Sequence, residues 1–583
     1  MTRRWVFREP VEAHPRLASL NLPPLVQRVL LARGLADPDH VSHFCQPRLS
    51  DLHHPSLMPN IDAAARRLVH AVRANQAIAI YGDYDVDGIT AAATLYHVIR
   101  AAHPNARLTT YVPHRLEEGY GVNSDALQQL KSDGVDLVVT VDCGITAPQP
   151  AAHARQIGLD LIITDHHNPP AETHTLPDAL IVHPRLPGSA YPFPDLCGAA
   201  VAFKLAWRFA TAWCDSERVS DNLQRTLLDM LPLAALGTIA DVMPLRGENR
   251  IIASFGLRLL KQTALPGLHA LIEASNLMDA NIDSEKVGFI LAPRLNACGR
   301  MGHAAEAVHM LTDARPDEAA DIARRLSQLN RQRQQTERAI TEHAARMAED
   351  AGMTGDHRRA IVLADPSWHP GVVGIACARL VDRFGRPAIL LQKQPDVCKG
   401  SARSIDGYSI YDALCDNSDL LASFGGHDVA AGLTLATSNL DRFSDAIIDH
   451  ANARIPVDHL LPPIYIDCDA MLHELDLTAV KRIAALSPFG RANRRPTLRV
   501  CDATLAEPPR QIGSQGRHLD MRLRQDHCGR RRVIRAVWWR SGALASHFAS
   551  GMKLDVAVEP KLNEWNGRLN IEAEIKDVIV RHP

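Results

Sequence analysis

From about residue 60, short apolar runs alternate with amphipathic stretches along the chain. Residues 63–72 carry apolar side chains at helical spacing, and 77–81 (AIAIY) form a continuous apolar run closed by Gly82. Residues 89–102 again have helical spacing. Further strand-like runs fall at 108–112, 136–141 (DLVVTV), 159–164 (LDLIIT) and 179–182, with helical segments between them. Short buried strands separated by helices predict βαβ units and a parallel sheet. Helices are predicted at 196–212 and 223–239. Residues 317–351 contain no Gly or Pro and many strong helix formers, so they predict one long helix, a connector between domains or a solvated surface helix or both. A second, smaller α/β unit follows, with strands at 360–363 and 388–391 and a helix at 372–384. Beyond about Pro462 short strands recur at 498–502, 519–523, 533–539, 553–558 and 569–580, a spacing that suggests an oligonucleotide-binding β-barrel. The fold class is thus α/β and multidomain. Its expected parts are a lead-in (1–55) packing on the next domain, a parallel-sheet domain (56–314), a connecting helix (315–354), a smaller α/β domain (355–458) and a barrel (459–583).

Composition changes this picture little. Of 583 residues, 46% are hydrophobic and 22% charged, which excludes a disordered or fibrous chain. The net charge of −2 neither supports nor excludes a nucleic-acid partner, because a local basic stripe suffices. The 11 cysteines are scattered singly with no CxxC pair, as expected of reduced, cytosolic usage without a structural zinc site. The first residues, MTRRWVFREP, lack a signal-peptide core, and the most apolar stretch, 227–245, carries Asp229, Asp241 and two prolines. A cytoplasmic protein is expected.

The chemistry lies at the strand ends. In YGDYDVDGIT, Asp83, Asp85 and Asp87 alternate just after a strand. Carboxylates this dense repel one another unless a cation sits among them. An EF-hand fails, since its twelfth position would be Thr94 and the preceding element is a strand. A helix cap needs one such residue, not three. Asp142 follows the next strand, and Asp165-His166-His167 follows the third; Asp241 lies at the end of an apolar helix. Ligands of open parallel sheets bind at the carboxyl ends of the strands, where the first three groups fall. Several acids and two histidines gathered there fit two divalent ions about 3.5–4 Å apart, which activate water for in-line phosphoryl displacement.

These motifs, D-x-D-G, V-D-C-G, D-H-H and I-A-D-V in this order, resemble those of the DHH phosphoesterase family. APRLNACGRM (292–301), GSARS (400–404) and GGHDVAAG (425–432) resemble further segments of the family's single-strand exonuclease branch, over nearly the whole chain. The resemblance implies a DHH catalytic domain, a DHH-associated domain and an oligonucleotide-binding barrel. It implies Asp85, Asp87, Asp142, His166 and Asp241 as ligands of two Mn²⁺ or Mg²⁺ ions. Asp83 would complete the set, because some DHH enzymes carry a histidine ligand where this chain has Tyr81. His167 would contact the scissile phosphate or assist the leaving group, and Asp165 would hold a histidine in its tautomer. Arg294, Asn296 and Arg300 would line the substrate path. Ser401, Arg403, Ser404, Gly425, Gly426 and His427 would clamp the terminal nucleotide through a guanidinium fork and backbone N–H groups.

Near the C-terminus, Arg530, Arg531, Arg532 and Trp538 make a candidate nucleic-acid patch, since cations beside aromatics suit a single strand. Trp538 and Trp539 are adjacent on a strand, so at least one should be core. The implied activity is metal-dependent 5′-to-3′ degradation of single-stranded DNA to 5′-mononucleotides, in DNA repair and recombination. The expected state is a monomer; the expected partners are single-strand-binding protein and a RecQ-type helicase. The rival readings are a DHH phosphodiesterase on oligoribonucleotides or cyclic dinucleotides, and a silent DHH scaffold. The length and basic C-terminal region argue against the first rival, whose members are generally smaller and lack the barrel. The presence of every motif acid argues against the second.

Overall fold

Strand β1 (Ile78–Gly82) is fully buried because both faces of its sheet are covered. Ile78 and Ile80 face one core, with Leu137, Val139 and Ile162; Ala79 and Tyr81 face the other, with Val138, Leu127 and Leu130. Two-sided burial explains why these strands read as unbroken apolar runs. The computed structural model describes residues 3–115, 117–170, 175–527, 529–565 and 568–581. It divides into two units, one of Gln46–Arg333 with Pro488–Arg494, the other of Met1–Cys45, Gln334–Ser487 and Arg495–Pro583.

In the first unit β1, β2 (Leu108–Tyr111), β3 (Leu137–Val141), β4 (Asp160–Thr164) and β5 (Leu180–Val182) form a parallel sheet in the order β2-β1-β3-β4-β5. Helices α1 (Val86–Ala102), α2 (Gly198–Trp213) and α3 (Asp221–Ala240) share the larger of its two cores. Inside it, Lys204 is paired with Glu248 at 2.5 Å, and Glu248 also accepts from His53 N and Tyr191 Oη. That network fastens the backbone of His53 to the helices of the parallel sheet. Helix α4 (Ala292–Met301) and the long helix α5 (Pro316–Asp350) follow.

The second unit holds two larger sheets of its own. In the smaller α/β domain, β6 (Ile361–Asp365), β7 (Ala388–Lys393), β8 (Val397–Arg403), β9 (Ser423–His427) and β10 (Ala430–Ala436) pair in the order β9-β10-β8-β7-β6. The barrel is a closed ring of β11 (Leu498–Leu505), β12 (His518–His527), β13 (Arg530–Trp538), β14 (Lys553–Trp565) and β15 (Arg568–Val580), closed by the β11–β12 pairing. The α/β multidomain class and the barrel stand as the sequence predicts. The N-terminal lead-in divides: residues 46–55 lie with the domain that follows them, and the residues before them do not. Its strand Arg4–Phe7 pairs in parallel with Pro463–Ile466, Trp5 Nε1 donates to the buried Asp577 at 2.9 Å, and Arg33 pairs with Asp467. The first 45 residues therefore belong with the C-terminal elements and not with the domain that follows them in the chain.

Candidate metal centre

Gly82 lies opposite Val141, and Val141 opposite Thr164, so β1, β3 and β4 end in one row. The strand order reverses between β1 and β3, which opens the crevice where such sheets bind ligands. Loops bearing Asp83, Asp142 and Asp165 leave from that edge. The first runs directly into α1, whose N-cap is Asp85; its carboxylate accepts from Asp87 N at 2.9 Å and Gly88 N at 3.2 Å. Asp142 takes a left-handed φ of 66°, which a short polar side chain tolerates. Asp241 caps the C-terminus of α3.

Three overlapping sets of ligand atoms result, each within 4.8 Å: Asp83, Asp85 and Asp142; Asp87, His166 and Asp241; Asp142, His166 and His167. His166 Nε2 stands 3.2 Å from Asp142, 3.6 Å from Asp241 and 3.7 Å from Asp87. Asp83 Oδ1, Asp142 Oδ1 and both ring nitrogens of His166 are buried without a hydrogen-bond partner. Buried polar atoms left in this way are costly unless something absent from the chain satisfies them. A carboxylate-rich, imidazole-containing set suits divalent ions of the Mn²⁺ or Mg²⁺ kind.

Electrostatics agree. Burial, then the charge of Asp85, raises Asp83, and raises Asp87 to about 6. Burial and the charges of Asp87 and Asp85 raise Asp142, and push Asp241 up to about 8. Burial and the neighbouring His167 depress His166 to about 3, so its imidazole is neutral and free to ligate. Asp165 departs from this pattern. Burial alone would raise it, but its hydrogen bond and charge pairing with His167 hold it below the usual carboxylate range. It accepts from Ile145 N, His166 N, His167 N and His167 Nδ1. Burial would lower His167, yet Asp165 raises it to about 9. Asp165 thus fixes the His-His turn and aims the other face of His167 outward.

Tyr81 faces the sheet's other core and donates to Gly121 O at 3.0 Å, so its side chain is structural. Asn296 Oδ1 accepts from Val86 N at 3.1 Å, bracing the acidic loop from α4. Arg294 donates to Ser327 Oγ and Ile290 O, and Arg300 acts on Tyr84 electrostatically. In the second unit, Ser401, Gly432 and Gly425 align across β8, β10 and β9, and Arg403 and His427 both pair with Ala430. An added Cβ at Gly374 would lie 3.1 Å from Ser401 Oγ and 3.2 Å from Arg403 Nη2, so these side chains meet the start of the helix Pro370–Phe384. Ser404 Oγ is spent on Tyr408 O, and Gly426 needs its φ of 144° to form the strand.

The C-terminal patch requires correction. Trp538 is only 8% exposed and packs on Phe548, while Trp539 is 48% exposed, so the available aromatic there is Trp539. Trp538 is the last residue of β13 and Trp539 lies in the turn that follows, where the chain leaves the sheet. Arg531 pairs with Asp526 and Arg532 donates to Leu475 O, which leaves less free positive charge than the sequence suggests; the Arg530 side chain lies outside the described residues.

Sequence reasoning missed several residues of the centre. Gly198 N and Ala199 N, opening α2, donate to the two oxygens of Asp87 at 2.6 and 2.8 Å. A Cβ at Gly198 would lie 2.4 Å from Asp142 Oδ1, and one at Gly237 would lie 2.4 Å from Asp87 Oδ1. Arg185 donates to His166 O and Asn168 Oδ1, and His183 Nε2 donates to His167 O. Tyr120 Oη lies 3.2 Å from His167 Nε2. The only sequence signal for the glycines is their place among small residues on apolar helices. Gly237→Ala is expected to weaken Mn²⁺ binding by about 10–100-fold, the usual effect of disturbing a group that holds a ligand. Calorimetric titration with Mn²⁺ checks this; unchanged affinity would mean that Asp87 is not held at Gly237.

Comparison with known proteins converges on one family. The family model for the DHH family, N-terminal domain, matches residues 77–238; those for the DHHA1 domain and the RecJ OB domain match 357–453 and 466–577. The single-stranded-DNA-specific exonuclease RecJ of Bacillus subtilis (strain 168) is 37% identical, over 99% of this chain and 71% of that protein. RecJ of Thermus thermophilus is 34% identical, over 96% of this chain and 78% of that protein. A crystal structure of the Thermus protein in complex with Mn²⁺ superposes with a TM-score of 0.82 at 29% identity, covering all of this chain and 80% of that one. With the strand-end acids, the Asp165-His166-His167 turn and the barrel all in place, the chain belongs to the RecJ family of DHH phosphoesterases, the single-stranded-DNA-specific exonucleases.

Proposed function

We propose that this chain degrades single-stranded DNA from its 5′ end and releases 5′-mononucleotides. The observation that carries the reading is the trio of overlapping ligand sets sharing Asp142 and His166, with buried atoms that lack partners inside the protein. Asp83, Asp85, Asp87, Asp142, His166 and Asp241 would hold two divalent ions, Mn²⁺ or Mg²⁺. Bound there, the ions would lower the pKa of a shared water and offset charge on the phosphate.

The remaining residues position and protonate. Asp87 is fixed by two N–H groups at the start of α2, so its carboxylate cannot swing away as the ligands rearrange. Asp165 orients His167 and keeps it protonated near neutral pH, so the imidazolium can donate to a phosphate oxygen or to the leaving group. Ser401, Arg403, Gly425, Gly426 and His427 would take a phosphate near the strand's end, with Ser404 shaping that turn. Arg294 and Arg300 would add charge along the path, and Asn296 would keep the acidic loop in register. Trp539, with Arg531 and Arg532, would offer a weaker contact on the barrel.

Among the described residues no helix is long and apolar enough to cross a membrane. The activity fits a cytoplasmic monomer acting in DNA repair and recombination, with a RecQ-type helicase and single-strand-binding protein supplying unwound strands. The test is degradation of matched single-stranded and duplex DNA, labelled at either end, with Mn²⁺ or Mg²⁺. Loss of the single strand alone, from its 5′ end and only with metal, is expected. Equal rates on blunt duplex and single strand would sink the strand selectivity, and no loss of either would sink the nuclease reading.

A further inference from the structure

The chain re-enters the catalytic unit late. Residues Pro488–Arg494, just ahead of the barrel in sequence, belong to the unit of Gln46–Arg333. Two anchors hold this loop: Ser284 Oγ donates to Phe489 O at 2.5 Å, and Leu245 N donates to Arg491 O at 2.8 Å. Between them Gly490 lets the loop lie close on Leu245, whose Cδ1 would stand 2.8 Å from an added Cβ. Asn493 closes the loop with a donation to Pro488 O, and Ala492 takes a left-handed φ of 61°. A loop this constrained fixes where residue 491 points from.

What it presents is an exposed guanidinium. Arg491 is tied to a backbone position four residues beyond Asp241, and its positive charge is felt at that carboxylate. Between them Val242, a β-branched residue, is held at φ 55° and is 59% exposed. Strain of that kind persists where the surroundings impose it, and it clusters at functional sites. The other anchor leads the same way. Ser284 opens the turn that continues into a π-helix, Val287–Leu291, a rare element frequent at functional sites. There Phe289 is 74% exposed, more than any other large apolar side chain among the described residues. The π-helix lies over the last turn of α3, with Gly288 facing Ile239.

We propose that Arg491 and Phe289 form a further contact for the DNA strand on the catalytic unit, beside Asp241. The guanidinium takes a backbone phosphate and the phenyl ring takes the face of a base. This rests on the function proposed above and adds a binding step to it. A single strand is the occupant favoured here, because a cation and an exposed aromatic face next to carboxylates arranged for phosphate chemistry match the phosphate and the base of one nucleotide chain. A protein partner would need a broader apolar surface than one phenyl ring.

Binding is measured on the full chain in Ca²⁺ with a short 3′-labelled oligothymidylate, whose intactness is confirmed on a gel. It is therefore read apart from turnover, and a failed degradation assay leaves it interpretable. Arg491→Ala is expected to weaken binding about 5–20-fold and to reduce the slope of log affinity against log salt by about 0.7, the loss of one phosphate contact on a single strand. Arg491→Lys should restore most of that slope. Phe289→Ala is expected to weaken binding at least about 5-fold and to abolish the preference for an intact strand over one with an abasic residue near its 5′ end. Mn²⁺ affinity should not fall and melting temperature should stay at the parent value, which separates a strand contact from a merely structural loop. An unchanged salt slope in Arg491→Ala, or abasic discrimination retained in Phe289→Ala, would overturn the proposal. So would loss of Mn²⁺ binding that accounts for the weakened affinity.

Discussion

Asp142→Asn is expected to lower nucleotide release by about 10³-fold or more, a loss as large as removing a key transition-state donor, while raising the melting temperature of the metal-free protein at pH 8. Asparagine keeps the size of the side chain and tolerates the φ of 66° at this position, so backbone geometry is preserved. What disappears is one negative charge that two of the three ligand sets share. Asp142 is 1% exposed and faces Asp87, Asp85, Asp83 and Asp241, and that crowding with burial is why its carboxyl is raised. Without metal the charge is a liability, and its removal should gain about 2 °C, the shift that roughly 1 kcal/mol makes in a unit of this size. Calorimetric melting in chelator and a single-turnover assay with Mn²⁺ measure the two effects. Opposite signs for stability and activity mark a residue kept for binding a cation. A variant that loses both would show instead that Asp142 supports the fold.

Much of this centre was legible in the sequence because strand ends announce themselves. An apolar run stops, an acid follows, and sheet topology brings such ends together; the register of Gly82, Val141 and Thr164 is the physical form of that rule. The long helix was legible for a similar reason, since 317–351 lacks every breaker and the helix runs Pro316–Asp350. What escaped depends on contacts far apart in the chain. Asp87 is held by Gly198 and Ala199, and nothing in either segment names the other. Asn296 Oδ1 accepts from Val86 N, a bracing role that neither segment announces. The face that Tyr81 presents depends on which side of the sheet each core covers, and the choice between Trp538 and Trp539 on where β13 ends. The charge of the barrel is hard to read along the chain for another reason. Arg535 pairs with Asp520 and Glu572, and Arg499 with Asp469, so acids brought from other strands neutralise charges that look free in one dimension. The N-terminal strand and the 488–494 loop escaped because each joins elements hundreds of residues away.

Mn²⁺ is expected to stabilise the protein far more at pH 8.5 than at pH 6.5, and the metal-free protein is expected to lose stability over the same interval. The sign follows from two groups. Burial and the charges of Asp87 and Asp85 raise Asp241 to about 8, and Asp165, against burial, raises His167 to about 9. Their unfolded values lie near 4 and 6.5, so above pH 6.5 the folded state holds more protons than the unfolded chain. Stability then falls as pH rises, and the contribution is gone once pH passes the folded values. His166, depressed to about 3, exerts its opposite effect only below about 6.5, so it does not blur this window. A metal ion must displace the carboxyl protons to bind. Its apparent affinity should therefore climb with pH, by up to about tenfold per unit for each proton released. At a fixed Mn²⁺ concentration near 100 times the dissociation constant, the gain is about 2.7 kcal/mol, and it shrinks as protons reclaim the ligands. Melting scans with and without Mn²⁺ across this range, and titrations in buffers of different ionisation enthalpy, measure both the stabilisation and the protons released. A stabilisation independent of pH, with no proton release, would place the ion away from Asp241 and its neighbours. A stabilisation that grows with pH, and that Asp142→Asn abolishes, ties the ion to the carboxylates at the end of this sheet.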